Sequence, residues 1–218
     1  MGRLESLANH LSLGSRQRKW DQFLRLVKPQ SGESLLDVGV NTTEYSDHDN
    51  FLERNYPWPA QITALGIGAD FSEFNRRYPT VRTVNGDGTC LPFADREFDI
   101  THSNAVIEHV GSHARQVAFA RELWRVASRG FITTPNRLFP VEVHTRVPLA
   151  HLLLSKSRFD ALLRRIGKGF AAGDYMNLLS ETELAAVLKE AGIDNYTLIR
   201  NRVLGWPMTF TVSWDRSR

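Results

Sequence analysis

Residues 34–43 read Ser34-Leu35-Leu36-Asp37-Val38-Gly39-Val40-Asn41-Thr42-Thr43. An apolar run closes on an acid and a glycine, the pattern of a short buried strand ending at a turn. The turn carries a single glycine, where a loop that wraps a nucleotide-type cofactor usually has two or three. The stretch is therefore both the anchor of the fold and its main anomaly.

On either side of this stretch the pattern alternates. Residues 16–28 predict an amphipathic helix, with Trp20, Phe23, Leu24 and Val27 at i, i+3, i+4 and i+7 and Pro29 beyond the end. A short helix is expected over 48–56, capped by Ser46 or Asp47 and stopped by Pro57. Strands are expected at Ile62 to Ile67, at Val81 to Asn85 and at Phe98 to Ser103. A long helix is expected over 113–127, followed by Gly130 and then by a fifth strand at Phe131 to Thr134, stopped by Pro135. Ser180-Glu181-Thr182-Glu183 is a capping box that opens another helix, ended by Gly192. Two β-rich segments, Tyr196 to Asn201 and Met208 to Trp214, close the chain. This order predicts an α/β protein with a mostly parallel layered sheet. Residues 136–179 break the alternation and read as an insertion of one or two helices near the C-terminal ends of the strands.

The bulk properties fit one domain. The chain has 218 residues, 42% hydrophobic and 23% charged, with a net charge of +3. Its arginines are scattered rather than gathered into a stripe, which argues against a nucleic-acid partner. A lone cysteine, Cys90, rules out an intrachain disulfide and is expected to pack as a small apolar residue beside Leu91. The N-terminal residues Met1 to His10 have no apolar signal core. The longest apolar run, Val147 to Leu154, is interrupted by Pro148 and His151 and is too short to span a membrane. These features predict a soluble, cytoplasmic protein without a transmembrane segment.

Three further strings make the pattern specific. They are Gly86-Asp87-Gly88-Thr89-Cys90-Leu91-Pro92-Phe93, then Phe98-Asp99-Ile100, then Ala105-Val106-Ile107-Glu108-His109-Val110. With Leu35-Leu36-Asp37-Val38-Gly39, they resemble the class I S-adenosylmethionine-dependent methyltransferases of the type-11 kind. Asp87, Leu91, Pro92, Phe93, Asp95, Phe98 and Asp99 all stand in the register of that group's motif between the third and fourth strands. The resemblance covers about residues 30–135. It implies a Rossmann-like, doubly wound, seven-stranded sheet with its last strand antiparallel. It also implies S-adenosyl-L-methionine as cofactor, bound outside the carboxyl ends of the strands where strand order reverses. By the same resemblance, Asp37 and Gly39 hold the methionine part, and Asp87 accepts the adenine amino group while the Gly88 amide reaches a ring nitrogen. Asn104 lines the same crevice.

The departures are as informative. The second and third glycine positions of the first loop hold Asn41 and Thr43. Asn41 is expected to substitute through its tolerance of the left-handed region. Thr43, being β-branched, forces the loop onto another path. Either the polar side chains after Thr42 replace the lost backbone contacts, or the cofactor site is weakened. Asp70 falls a residue or two late for the usual ribose ligand, and reads either as that ligand or as a helix cap. A Gly-x-Gly-x-x-Gly dinucleotide loop and a P-loop are both absent.

Methyl transfer needs alignment, and a base only where the acceptor must lose a proton. Candidates are His109, in the Ile-Glu-His-Val string after strand four, and Glu142 with His144, which share one face of an extended segment after strand five. His144 is the leading candidate for a general base. Asn136, Arg137 and Asn177 are candidates for orienting the acceptor. Relatives that bind a metal use Glu-x-x-Glu-His, and Ala105 occupies its first position, so no metal site is expected. The 136–179 insertion reads as a lid, apolar on one side and basic on the other, suited to an acceptor or to a second copy of the chain in a homodimer. The sequence thus favours a methyltransferase acting on a small molecule at oxygen or nitrogen. A cofactor-free pseudoenzyme acting as a scaffold and an RNA methyltransferase remain as alternatives.

Overall fold

The computed structural model describes residues 3–44, 46, 49–68, 70–142, 145–173 and 176–216. A long helix α1 (Arg3–Val27) precedes strand β1 (Leu35–Val38). Then come α2 (Phe51–Asn55), β2 (Ile62–Gly66), α3 (Ser72–Arg77) and β3 (Arg82–Asn85). Strand β4 (Phe98–Asn104), helix α4 (His113–Val126) and strand β5 (Ala127–Pro135) complete the central run. Two helices, α5 (Ala150–Leu153) and α6 (Lys156–Arg165), occupy the insertion. The chain closes with α7 (Glu181–Glu190), β6 (Thr197–Val203) and β7 (Trp206–Asp215).

The strands form one seven-stranded sheet in the order β3-β2-β1-β4-β5-β7-β6, with β7 antiparallel to both of its neighbours. Strand order reverses between β1 and β4, the crevice where ligands bind in sheets of this kind. The expected fold, last antiparallel strand included, is what the chain adopts.

Both faces of the sheet are covered, so adjacent residues on a strand enter different cores. Leu36 and Val38 pack with Phe119, Leu123, Val187 and Leu188 of α4 and α7. Leu35 packs with Phe23, Phe74, Ile100 and Phe131 on the side of α1 and α3. Asp37 and His102 follow the alternation of Leu35 and Ile100, which puts a polar pair at the rim of the second core. The 136–179 segment has a small cluster of its own, with Phe159, Leu163 and Met176 buried. Its ends meet at an isolated bridge between Asn136 and Leu179, where the Arg137 amide donates to the Leu179 carbonyl at 3.0 Å.

Two local expectations change. Strand β5 starts at Ala127, directly from the end of α4, rather than at Phe131, so Gly130 lies inside it. A Cβ at Gly130 would fall inside the indole of Trp214 on β7, so the glycine is there to admit that ring. Cys90 is exposed rather than packed. The capping box is present as expected: Ser180 accepts from the Glu183 amide while the Glu183 carboxylate accepts from the Ser180 amide at 2.7 Å.

Gly130→Ala is expected to lower stability by about 1–3 kcal/mol through overpacking, read as a fall in the urea midpoint. Gly14→Ala, on a helix turn with open space around it, should leave the midpoint unchanged or raise it. Equal effects from the two would rule out the Trp214 contact as the cause.

Candidate functional site

A cavity of about 400 Å³ opens at the carboxyl ends of β1 and β4, under α1 and α2. Its floor is built by strand register. Asp37 lies opposite His102 across the β1–β4 pair, and His102 lies opposite Phe131 across the β4–β5 pair. His102 Nδ1 is 2.7 Å from Asp37 Oδ1, and its ring stacks on Phe131 at 5.7 Å with 6° between planes. Phe23 of α1 meets the same imidazole edge-on at 5.5 Å. Burial in this aromatic setting lowers the His102 pKa to about 4, so the ring is neutral at ordinary pH.

Burial also raises the Asp37 pKa, to about 7, and that of Glu53 well above the carboxylate range. For Glu53 the neighbouring charge of Asp37 adds to burial. Glu53, on α2, is only 4% exposed. Apart from the Asp37 carboxyl beside it, its oxygens meet no hydrogen-bond partner among the described residues. From α1, Arg16 and Lys19 bring positive charge to the cavity. Burial lowers the Lys19 pKa to about 8, and its ammonium lies 3.4 Å from Asn104 Oδ1. That oxygen also accepts from the Thr133 hydroxyl at 2.6 Å.

The altered first loop is held by side chains. Glu44 accepts from Asn50 Nδ2 at 3.0 Å and from the Tyr78 hydroxyl at 2.6 Å, and pairs with Arg54 and Arg77. Asn50 makes two hydrogen bonds with the Asn41 backbone, at 3.0 and 2.8 Å. The left-handed conformation expected at Asn41 falls instead at Asn50, with φ 47°. Gly39 remains essential: φ is +96°, and a Cβ there would run into Val106. Fixed charges and side-chain amides thus brace the described residues of this loop.

The cavity gathers some sequence candidates and leaves others out. Asp37, Gly39, Asn41, Asn104 and His109 line it. Thr42 is in the adjoining loop, half-buried. Asp87 lies outside the lining; its carboxylate accepts from Arg115 at 2.8 Å and from the Thr89 amide and hydroxyl at 2.9 and 2.8 Å. Burial opposes ionisation there, but these donors outweigh it and hold the carboxyl below its usual range. Gly88 packs tightly, and a Cβ there would come within 2.6 Å of the Phe119 ring. Asp70 accepts from the Ser72 amide at 2.9 Å, a turn at the start of α3. Glu142 is buried and outside the cavity lining, accepting from the Thr145 amide at 2.6 Å. His144, Tyr45 and His48 lie outside the described residues. Lys19, Glu53 and His102 were not foreseen; the one available signal was the period-two alternation that sets His102 on the Ile100 face.

S-adenosylmethionine presents an adenosine, a sulfonium and an amino-acid end. The chemistry of the cavity fits the last of these: carboxyls and cations both line a space that Gly39 keeps open. Asp87 can still accept from an adenine amino group, because a carboxylate offers about four lone-pair sites and three donors occupy it here.

Comparison with known proteins agrees. Residues 36–132 match the methyltransferase domain family. Over 111 residues the chain is 30% identical to a malonyl-[acyl-carrier protein] O-methyltransferase of Pectobacterium atrosepticum, covering 50% of this chain and 40% of that one. Over 138 residues it is 30% identical to a demethylmenaquinone methyltransferase of Corynebacterium kroppenstedtii, covering 60% and 53%. The chain thus spans about half the length of these curated relatives. In fold it is similar to a SAM-dependent methyltransferase from Aquifex aeolicus, with TM-score 0.53 at 16% identity over 88% of this chain and 87% of that one. A Pyrococcus horikoshii OT3 protein gives TM-score 0.58 at 15% identity, covering 93% and 90%. The doubly wound sheet with a crevice at the β1–β4 switch defines an α/β protein of the Rossmann-like kind. Over residues 36–132 the chain is similar, more narrowly, to methyltransferase domains.

Glu44→Ala is expected to cost about 2–3 kcal/mol, because it strands Arg54 and the Tyr78 hydroxyl. A thermal melt reads the loss, and limited proteolysis should then cut within residues 41–50. An unchanged melt and cleavage pattern would show that the loop is held by something else.

Proposed function

We propose that the protein transfers the methyl group of S-adenosylmethionine to a small-molecule acceptor at oxygen or nitrogen. The observation that carries this reading is the cavity at the β1–β4 switch, whose lining mixes buried carboxyls, cations and aromatic rings. The name of the Pectobacterium relative supports oxygen as the acceptor atom.

When bound, the cofactor supplies a methyl group on a sulfonium, a leaving group that needs no acid. The chain's task is then alignment and exclusion of water. In this reading Asp37, Gly39, Asn41, Thr42 and Asn104 hold the methionine end. Asp70 receives the ribose, and Asp87 with the Gly88 amide receives the adenine. Trp20, Phe23 and Phe131 make a dry wall, so that the acceptor meets the methyl group with little competing water. Of the three catalytic candidates, His109 lines the cavity, and a ring nitrogen there takes the acceptor's proton. Glu142 acts as a positioning residue through its bond from the Thr145 amide. The 136–179 segment covers the acceptor, and its exposed Leu149, Leu152 and Leu153 suit contact with a second copy of the chain.

Calorimetry with S-adenosylhomocysteine tests the cofactor site directly. Micromolar binding is expected, and no binding at millimolar ligand would sink the reading. Asp87→Ala should weaken binding at least about tenfold, the loss of one charge-assisted hydrogen bond. With an acceptor found by screening acids, phenols and amines for S-adenosylhomocysteine release, His109→Ala should lower kcat by about a hundredfold or more. Its affinity for S-adenosylhomocysteine should be retained.

A further inference from the structure

Glu53 is out of place by ordinary rules. A buried carboxyl is normally paired with a cation or hydrogen-bonded to donors, because burying it bare forfeits its hydration with nothing in return. Here the side chain is 4% exposed, lines the cavity and has no partner among the described residues beyond another acid. That acid is Asp37, on the same wall, whose own close contact is His102 rather than a cation. Two carboxyls side by side in a poorly hydrated space cannot both ionise without a cation between them. One of them therefore keeps a proton while the cavity holds no cationic ligand.

The other groups facing this pair do not supply that cation. His102 is neutral. Lys19 of α1 is directed to Asn104, and Arg16 of α1 lies 4.0 Å from Asp49. His109, from the turn after β4, is next to its own neighbour Glu108 at 4.0 Å. An acid without a cation in a ligand cavity is a destabilising feature, of the sort that binding sites retain at the expense of stability.

We propose that Glu53 is a cofactor-binding residue that completes a carboxyl pair with Asp37, takes the α-ammonium of the cofactor's amino-acid end, and gives up the pair's proton as it does so. The inference rests on the proposed cofactor site and deepens it. Lys19 then meets the carboxylate of the same amino-acid end. The loop that lost its glycines thus keeps its grip through an acid supplied from α2. The balance is simple: a ligand cation enters, one proton leaves to solvent, and no covalent bond changes. Affinity therefore rises with pH until the pair is fully ionised in the empty protein.

The test is calorimetry of the full chain with S-adenosylhomocysteine, which keeps the ammonium but has no sulfonium charge. The comparison ligand is 5′-methylthioadenosine, which keeps the adenosine and lacks the amino-acid end. Titrations are run in two buffers of different ionisation enthalpy, at about pH 6 and about pH 8, spanning the raised carboxyl range. For the wild type, the S-adenosylhomocysteine enthalpy should differ between buffers, reporting proton release, and affinity should be higher at the upper pH. Glu53→Gln should weaken S-adenosylhomocysteine about tenfold or more and abolish the buffer dependence. Binding of 5′-methylthioadenosine should not change.

A melt of the empty protein separates this from a structural role. Glu53→Gln should melt no lower than wild type, and its advantage should widen as pH rises above about 4.3, where an unfolded glutamate ionises. Unaltered S-adenosylhomocysteine affinity and buffer dependence in Glu53→Gln would overturn the proposal, as would an equal loss for 5′-methylthioadenosine. If neither ligand bound the wild type, the cofactor reading itself would fall. Binding of both by wild type with a silent Glu53→Gln would overturn this inference alone.

Discussion

Asp37 faces His102 because β1 and β4 pair in parallel with Asp37 opposite His102, and every other feature of the site is arranged around that register. One residue of slip would turn Asp37 into the core beneath α4 and bring Leu36 or Val38 into the cavity. The slip is blocked from both sides. Leu35 and Ile100 are fully buried on the α1 face, and Leu36 and Val38 are buried on the α4 face. The polar cavity at the switch point is therefore positioned by apolar packing one and two residues further down the same strands.

Much of this frame was legible because it is local. The strand at residues 35–38, the capping box at Ser180 and the motif from Asp87 to Asp99 are patterns of adjacent residues, and each is where the sequence puts it. The place of Gly130 inside β5 was illegible for the opposite reason. Its role is set by Trp214, far along the chain on β7, and nothing beside it in sequence announces an indole. Glu53, Lys19 and His102 were hidden in the same way. Each is an ordinary member of a helix or strand until the sheet brings α1, α2 and β4 around one space. Asn41 and Asn50 show how far local propensity reaches: the chain uses a left-handed asparagine in this loop, but at the position where Glu44 and the Asn41 backbone can be bonded together.

The loop after β1 also shows two ways of binding with backbone. Glycines give close approach and little else, so a glycine-rich loop needs its ligand to become ordered. Here Arg54, Arg77, Tyr78 and Asn50 converge on Glu44, so the described residues of the loop are braced by their own contacts. A loop held in this way has less entropy to lose when something binds it. The corresponding limit is adaptability, since an edge braced by charges cannot reshape itself around a different ligand without breaking several of them.

The bridge between Asn136 and Leu179 has a consequence for how such a protein changes over time. The residues between them leave the sheet and return to it at one point, and they carry their own small cluster around Phe159 and Leu163. Closing a loop costs free energy only as the logarithm of its length, so each doubling adds about 0.6 kcal/mol. The segment can be lengthened, shortened or exchanged with little effect on the strands below, while the register that fixes Asp37 stays untouched. Change in that segment is thereby uncoupled from the sheet that carries it.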